Sequence, residues 1–402
     1  MTDELAWLRE RLADRVVAAN DIGSDLVAGA LRAVPRHLFL PGLPPEAAYR
    51  DDAIVTKRDT SGQPVSSSSQ PAMMAIMLAQ LHLVPGQRVL EIGAGTGYNA
   101  ALIRHIVGPV GLVVSIDIDT ELADRAREHL ASAGYPDVAV LAADGAEGCA
   151  AYAPFDRVIA TVGVSDLAQA WLDQAGETAR IVVPLDVGGI QLSVAFGRIG
   201  RHWASRSLAP CGFMRIRGSL GGHDRIVSPE PGLAVILYDG RDVNPVALAA
   251  ALAGSPTEQP AGVEAGPAQV SWSLGLWLAT REPRWCTVRA QGGPSGGPPE
   301  APRLPACPPA AFGIVDDDGI AVLSPPGATG SQPLCATGFG PGAARLAADL
   351  AAQVRAWDEA GRPGVAGLRV DAYPRSAPDQ PCLLGDELVI ERPATRFVMY
   401  RT

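Results

Sequence analysis

The chain has 402 residues, 47% of them hydrophobic and 19% charged, and carries a formal net charge of -10. That length allows two or three domains, and the apolar fraction is that of a folded globular protein rather than a disordered one. The acidic balance excludes a bare phosphate-backbone binder, which needs a basic surface, so nucleic acid is not an expected partner.

The N-terminus is acidic and amphipathic, without the basic and apolar regions of a signal peptide. Leu5, Leu8, Leu12 and Val16 recur at helical spacing, and Ser24 is placed to cap a second short helix ending near Val34-Pro35. Pro41 to Pro45 breaks the chain. Tyr49 to Pro71 reads as polar and irregular and contains the run Ser66-Ser67-Ser68-Ser69. Met73, Met74, Met77, Leu78 and Leu81 then make the apolar stripe of a helix, read as core.

From Gln87 to Leu185 strand and helix patterns alternate. Strands are expected at Arg88 to Ile92, Leu112 to Ile116, Ala139 to Ala142, Arg157 to Thr161 and Arg180 to Pro184. Helices are expected at Tyr98 to Val107, Thr120 to Ala133 and Ser165 to Gln174. This order predicts a doubly wound parallel sheet, and runs such as Ile181-Val182-Val183 suit strands buried on both faces. A β-rich piece, Gln191 to Arg217, follows.

The remaining part reads as an α+β domain. Leu233 to Tyr238 looks like a strand, Pro245 to Ala253 like a helix, and Gly292 to Pro309 like a loop or linker. Asp318-Gly319 sits between two apolar runs as a hairpin signal. Ala343, Leu346, Leu350, Val354 and Trp357 mark an amphipathic helix, and two strands, Glu387 to Ile390 and Arg396 to Tyr400, follow. The expected division is an N-terminal helical and active-site segment (1–84), a Rossmann-like core (85–220) and a C-terminal α+β domain (221–402). No run of about 18 apolar residues occurs, so no membrane span is expected. Six scattered cysteines without a C-x-x-C pair read as reduced thiols of a cytoplasmic protein with no metal site.

The clearest chemistry lies at Glu91-Ile92-Gly93-Ala94-Gly95-Thr96-Gly97-Tyr98, a strand feeding a glycine-rich turn that opens a helix. The third small residue of a dinucleotide fingerprint is misplaced here, and the carboxylate of Glu91 beside the turn suits a cationic ligand. Asp117 ends the next strand, where an acid accepts ribose hydroxyls. Asp144-Gly145 closes the third, where a carboxylate meets an adenine amino group. Loop, ribose acid and adenine acid together describe a pocket for S-adenosylmethionine (SAM) rather than NAD.

These residues resemble the protein L-isoaspartyl O-methyltransferase family over about Leu31 to Pro184. The likeness includes Val34-Pro35-Arg36-His37-Leu38-Phe39, Tyr49-Arg50-Asp51-Asp52, Ser67-Ser68-Ser69-Gln70-Pro71, the glycine strand, Ala153-Pro154-Phe155-Asp156 and Ala179 to Pro184. It implies a class I SAM methyltransferase fold and esterification of a carboxylate. It also implies Ser67 and Ser69 as the donors that hold that carboxylate. Cofactor contacts are implied at Ser66, Ser68, Gln70, Glu91, Gly93, Ala94, Gly95, Thr96, Asp117, Ile118, Asp144, Gly145 and Thr161.

Two departures stand out: Ser67-Ser68-Ser69 replaces the Thr-Ile-Ser segment of the repair enzymes, and the chain continues for almost 200 residues where those enzymes are expected to end. The serine run, Trp203, and Cys211-Gly212-Phe213-Met214 with Arg215 and Arg217 resemble a branch of the family found in biosynthetic clusters for ribosomally made peptides (lanthipeptides, graspetides and lasso peptides). The branch implies a precursor peptide, possibly macrocyclised, as partner, with an aspartate methylated and then closed to aspartimide or hydrolysed to isoaspartate. Isoaspartate repair is the alternative; a SAM-binding regulator without turnover and a small-molecule methyltransferase fit the residues less well.

Other features admit two readings each. His37 is a structural hydrogen-bonder or a site residue, and Arg215 and Arg217 pair with an acidic peptide or form a solvated face. Asp316-Asp317-Asp318 is a hairpin turn or a cation site, and Trp272, Trp277 and Trp285 are core or a peptide groove.

Overall fold

A computed structural model describes residues 2–60, 62–222, 224–290, 311–324, 330–377, 385 and 387–402. The expected loop at 292–309 lies outside the described residues, as do Cys307 and Cys382. The chain forms two units: residues 1–186, 191–222 and 369–402 in the first, 187–190 and 223–368 in the second.

The first unit opens with helices α1 (Thr2–Ala19) and α2 (Asp25–Ala33). Ser24 caps α2 as expected, accepting from the Val27 amide at 3.4 Å. A hairpin follows, β1 (Ile54–Arg58) and β2 (Pro64–Ser68), where the sequence reads as irregular; α3 (Pro71–Leu81) comes next. Then alternate β3 (Arg88–Ile92), α4 (Tyr98–Val107), β4 (Leu112–Asp117), α5 (Thr120–Ser132), β5 (Ala139–Ala142), β6 (Phe155–Ala160), α6 (Gln169–Gln174) and β7 (Ala175–Val187). Strands β5, β4, β3, β6 and β7 pair in parallel in that order, as the alternation predicts. Val89, Leu90, Val158, Ile181 and Val182 are fully buried, which is why these strands are continuously apolar. Met74, Met77, Leu78 and Leu81 of α3 join the core with Leu12, Val16 and Val27.

The sheet then continues through β8 (Ile190–Ile199) and β9 (His202–Cys211), an antiparallel pair. Trp203 is core, with the Arg198 guanidinium 4.8 Å over its ring. The expected 221–402 domain does not hold together as one unit. Strands β17 (Leu368–Pro374), β18 (Leu388–Glu391) and β19 (Thr395–Arg401) extend the first unit's sheet to ten strands, β17 antiparallel to β9. The reason is burial: Val370, Ala372 and Phe397 are at most 1% exposed there.

The second unit is a seven-stranded sheet, ordered β10 (Arg225–Val227), β11 (Leu233–Leu237), β13 (Trp285–Ala290), β14 (Ala311–Asp316), β15 (Gly319–Leu323), β16 (Gln332–Phe339) and β12 (Thr257–Ala265), all neighbours antiparallel. Helices α7 (Pro245–Ala253), α8 (Gly275–Arg281) and α9 (Ala343–Glu359) belong to it, and Leu346, Leu350, Val354 and Trp357 form the buried stripe of α9 as predicted. Asp316 pairs with Gly319 at the expected hairpin, and Arg345 bonds Asp316 and Asp318 at 2.9 and 2.8 Å. Trp285 is buried with its indole N–H on the Gly188 carbonyl, and Trp277 donates to Gln353. Among the described residues no helix is long and apolar enough to cross a membrane.

Candidate active site

The turn after β3 needs its glycines. Gly93, Gly95 and Gly97 all have positive φ (98°, 53° and 87°), a region that costs a Cβ-bearing residue steric strain. A Cβ on Gly93 would meet Thr161 Oγ1 at 2.9 Å and Val162 Cγ1 at 3.1 Å. The Gly93 and Ala94 amides donate to the Ile116 carbonyl, which ties the turn to β4. Asp117, at the end of β4, accepts from the Gly95 amide at 2.9 Å and the Asp119 amide at 3.0 Å. Each carboxylate oxygen keeps a lone pair for a further donor.

Ser66 to Ser69 run along and just past β2, beside this turn. Side chains alternate faces on a strand, so Ser66 and Ser68 share one face and Ser67 and Ser69 the other. The first pair is buried and the second half-buried. Ser66 Oγ accepts from Thr56 Oγ1 at 3.1 Å. Among the described residues Ser68 Oγ has no hydrogen-bond partner, although the residue is 3% exposed. Arg36, fully buried, holds the segment by donating to the carbonyls of Ala48, Arg50, Asp52 and Ser69.

All four serines line one cavity with the glycine turn. Asp117, Ile118, Gly145 and Thr161 line it too. Three other predicted contacts are placed differently. Glu91 is fully buried beneath the turn, accepting from Asn99 Nδ2 at 2.7 Å and Ser115 Oγ at 2.5 Å. Burial pushes its carboxyl up to about 7, against the pull of those two bonds. It braces the turn rather than meeting a cationic ligand. Gln70 is exposed, its amide on Asp51. Asp144 directs its carboxylate to the amides of Ala146 and Ser219, at 3.0 and 2.8 Å. Burial alone would raise that carboxyl; the amide bonds outweigh it and hold it below the ordinary range.

Some residues around the cavity were singled out in the sequence for other reasons, and others escaped it. Residues 213–217, noted in the sequence only for their likeness to the peptide-modifying branch, line the cavity; Phe213 is bonded both ways to Gln191, and just beyond them the Ser219 amide donates to Asp144. Gly163 and residues 214 and 216 exchange backbone bonds. Arg215 pairs with Asp186 at 2.8 Å, and Arg217 lies 3.7 Å from Asp119, so both arginines have acidic partners of their own. Lys57 bonds Asp119 and Glu121. Trp171 donates to the Gly145 carbonyl. Met74, read as core, also lines the cavity, as does Asn99, whose Oδ1 has no hydrogen-bond partner among the described residues. A lone polar residue on an otherwise buried helix face was the one available signal for Asn99. His37 bonds the Tyr49 hydroxyl at 2.8 Å, a structural contact.

The profile of the protein-L-isoaspartate(D-aspartate) O-methyltransferase family matches residues 9–218. The chain belongs to this family. A Methanopyrus kandleri protein-L-isoaspartate O-methyltransferase is 40% identical over 178 residues, covering 44% of this chain and 76% of that protein. The Hyperthermus butylicus protein of the same name is 35% identical over 232 residues, covering 55% and 94%. A solved structure described as a protein-L-isoaspartate O-methyltransferase superposes with a TM-score of 0.52 at 22% identity, covering 90% of this chain and 96% of the other. That solved chain therefore also extends beyond the Rossmann-like core.

The protein is thus a SAM-dependent carboxyl O-methyltransferase with a class I methyltransferase fold. The cavity fits the cofactor: it has a turn that excludes Cβ atoms, free acceptor capacity on Asp117, and two buried polar atoms awaiting partners. SAM, when bound, supplies an electrophilic methyl group on a sulfonium. A carboxylate acceptor is already ionised at neutral pH, so these residues need only orient it and exclude water.

Proposed function

We propose that the enzyme methylates the side-chain carboxylate of an aspartate in a ribosomally made precursor peptide, the ester then closing to aspartimide or hydrolysing to isoaspartate. The observation that carries this reading is the serine segment. Ser67 in β2 and Ser69 just past it are half-buried and line the cavity, and Ser68 stands where the family resemblance implies isoleucine in the repair enzymes. Hydroxyl donors orient a carboxylate without an ion pair that would blunt its nucleophilicity. Methylation converts a poor leaving group to methoxide, and the next backbone nitrogen closes the five-membered imide.

A second reading, methylation of isoaspartate in damaged proteins, is favoured by the 35–40% identity to relatives named for that activity. Mass spectrometry separates the two. The enzyme and SAM are given an aspartate-containing peptide, linear and macrocyclised, or a generic isoaspartyl peptide. Gain of a methyl group on the aspartate peptide followed by loss of methanol supports the first reading. Turnover of the isoaspartyl peptide alone replaces it with the second.

A further inference from the structure

We infer that Lys57, acting through Asp119, is a positioning residue for methyl transfer: it ties the hairpin that carries the serine run to the opposite wall of the same cavity. Lys57 is the single lysine of the chain, among 33 basic residues. Its ammonium donates to both Asp119 carboxylate oxygens, at 2.8 and 2.7 Å, and to Glu121 Oε2 at 2.8 Å. All three of its donors are thereby used. The pair is sheltered, with side chains 23% and 14% exposed, so salt screens it less than an open surface pair.

The hairpin needs such a tie. Strands β1 and β2 form a two-stranded sheet of their own, outside the ten-stranded sheet, and a lone two-stranded ribbon is marginally stable in water. Arg36 holds its base, at the carbonyls of Asp52 and Ser69. Lys57 holds it farther out. It lies opposite Ser66 in register, with an irregularity of pairing on either side. Bulges of this kind re-aim a side chain, and this one reaches the start of α5, 62 positions later. Asp119 receives it on a fixed joint: its carboxylate caps α5 by accepting from the Leu122 amide at 3.3 Å, and its own amide donates to Asp117 at 3.0 Å. Ser66 to Ser69 line the cavity from the hairpin, and Asp117 and Leu122 line it from the joint. Methyl transfer is an in-line displacement, so a small drift between these walls lowers the rate before it weakens binding. The inference rests on the methyl transfer itself and stands whichever peptide is the acceptor.

Lys57→Met and Asp119→Asn test it in the full chain; asparagine caps a helix as well as aspartate does, so α5 keeps its cap. Methyl transfer from SAM is followed on the aspartate and the isoaspartyl peptide alike. Each variant is expected to lower kcat about fivefold or more while S-adenosylhomocysteine affinity, by calorimetry, stays within about twofold, and the double variant is expected to be no slower than the slower single one. Hydrogen exchange needs no acceptor: Lys57→Met is expected to speed exchange at residues 54–68 by about tenfold and to leave β3, β4 and β6 unchanged. Unchanged exchange in the hairpin would overturn the inference. So would losses of kcat that multiply in the double variant, since the two residues would then act apart. Loss of S-adenosylhomocysteine affinity in step with kcat would reduce the pair to a structural tie and overturn it too.

Discussion

The Ser69 carbonyl accepts from Arg36 Nη2 at 3.1 Å, so the residue proposed to meet the substrate is fixed by a fully buried guanidinium 33 positions earlier. The same guanidinium bonds three carbonyls of residues 48–52, joining the approach to β1 with the end of β2. A lysine ammonium has three donors on one point and does not span four carbonyls. Arg36→Lys is expected to cost about 3 kcal/mol in urea unfolding and to lower kcat more than tenfold. Full activity at unchanged stability would show that the segment holds its shape without Arg36.

Ser69→Ala removes only the proposed hydroxyl donor and leaves the carbonyl that Arg36 binds. It is expected to lower kcat/KM for the peptide at least tenfold while S-adenosylhomocysteine affinity stays within about twofold. Steady-state kinetics beside a binding titration decides it; full turnover would remove Ser69 from the proposed role.

Gly93→Ala places a methyl group 2.9 Å from Thr161 Oγ1 at a φ of 98°. The substitution is expected to destabilise the protein by about 1–3 kcal/mol and to weaken S-adenosylhomocysteine at least tenfold, because relief moves the turn or Thr161, both of which line the cavity. Thermal unfolding with and without ligand reads both effects.

The sheet and glycine turn were legible because their signals are local. Continuous apolar runs, positive-φ glycines and strand-end acids are each visible within a few residues. The β1–β2 hairpin was not legible, since consecutive serines have no strong strand preference and Ser66–Ser68 become a strand only by pairing with Ile54–Lys57. The bond between Asp144 and the Ser219 amide was not legible, since it depends on a segment 75 residues away. Strands β18 and β19 were anticipated, yet no local pattern says which sheet a strand joins. Strand β17, which connects them to β9, gave no signal at all.

The Glu91 carboxyl gives the protein a pH signature. In the folded state it holds its proton up to about pH 7, whereas an ordinary glutamate releases it near 4.5. Between those values the folded state binds the extra proton, so stability falls as pH rises across the window and levels off above it. Glu91→Gln removes this dependence. The stability difference, wild type minus variant, is expected to decline across the window in urea titrations; a flat difference would show that Glu91 ionises normally.

Strand β17 also dictates which shortened chains survive. Ending the chain at Gly222 removes β17–β19, with the Ala394 amide bond to Asp166 and the Arg392 bond to the Ser165 carbonyl. Such a chain is expected not to give a cooperative unfolding transition. A chain lacking 224–367, with its ends joined by a flexible linker, is expected to give one by circular dichroism.

Synthesis on the ribosome meets the same interleaving as a delay. When β9 emerges, its antiparallel neighbour β17 still waits behind residues 212–367, a gap on the order of ten seconds at ordinary elongation rates. For that interval the nascent sheet presents an unpaired edge beside the ring of Trp203, an open template for another chain. Crowded polysomes and premature stops therefore threaten this protein through the strand it makes early and completes late.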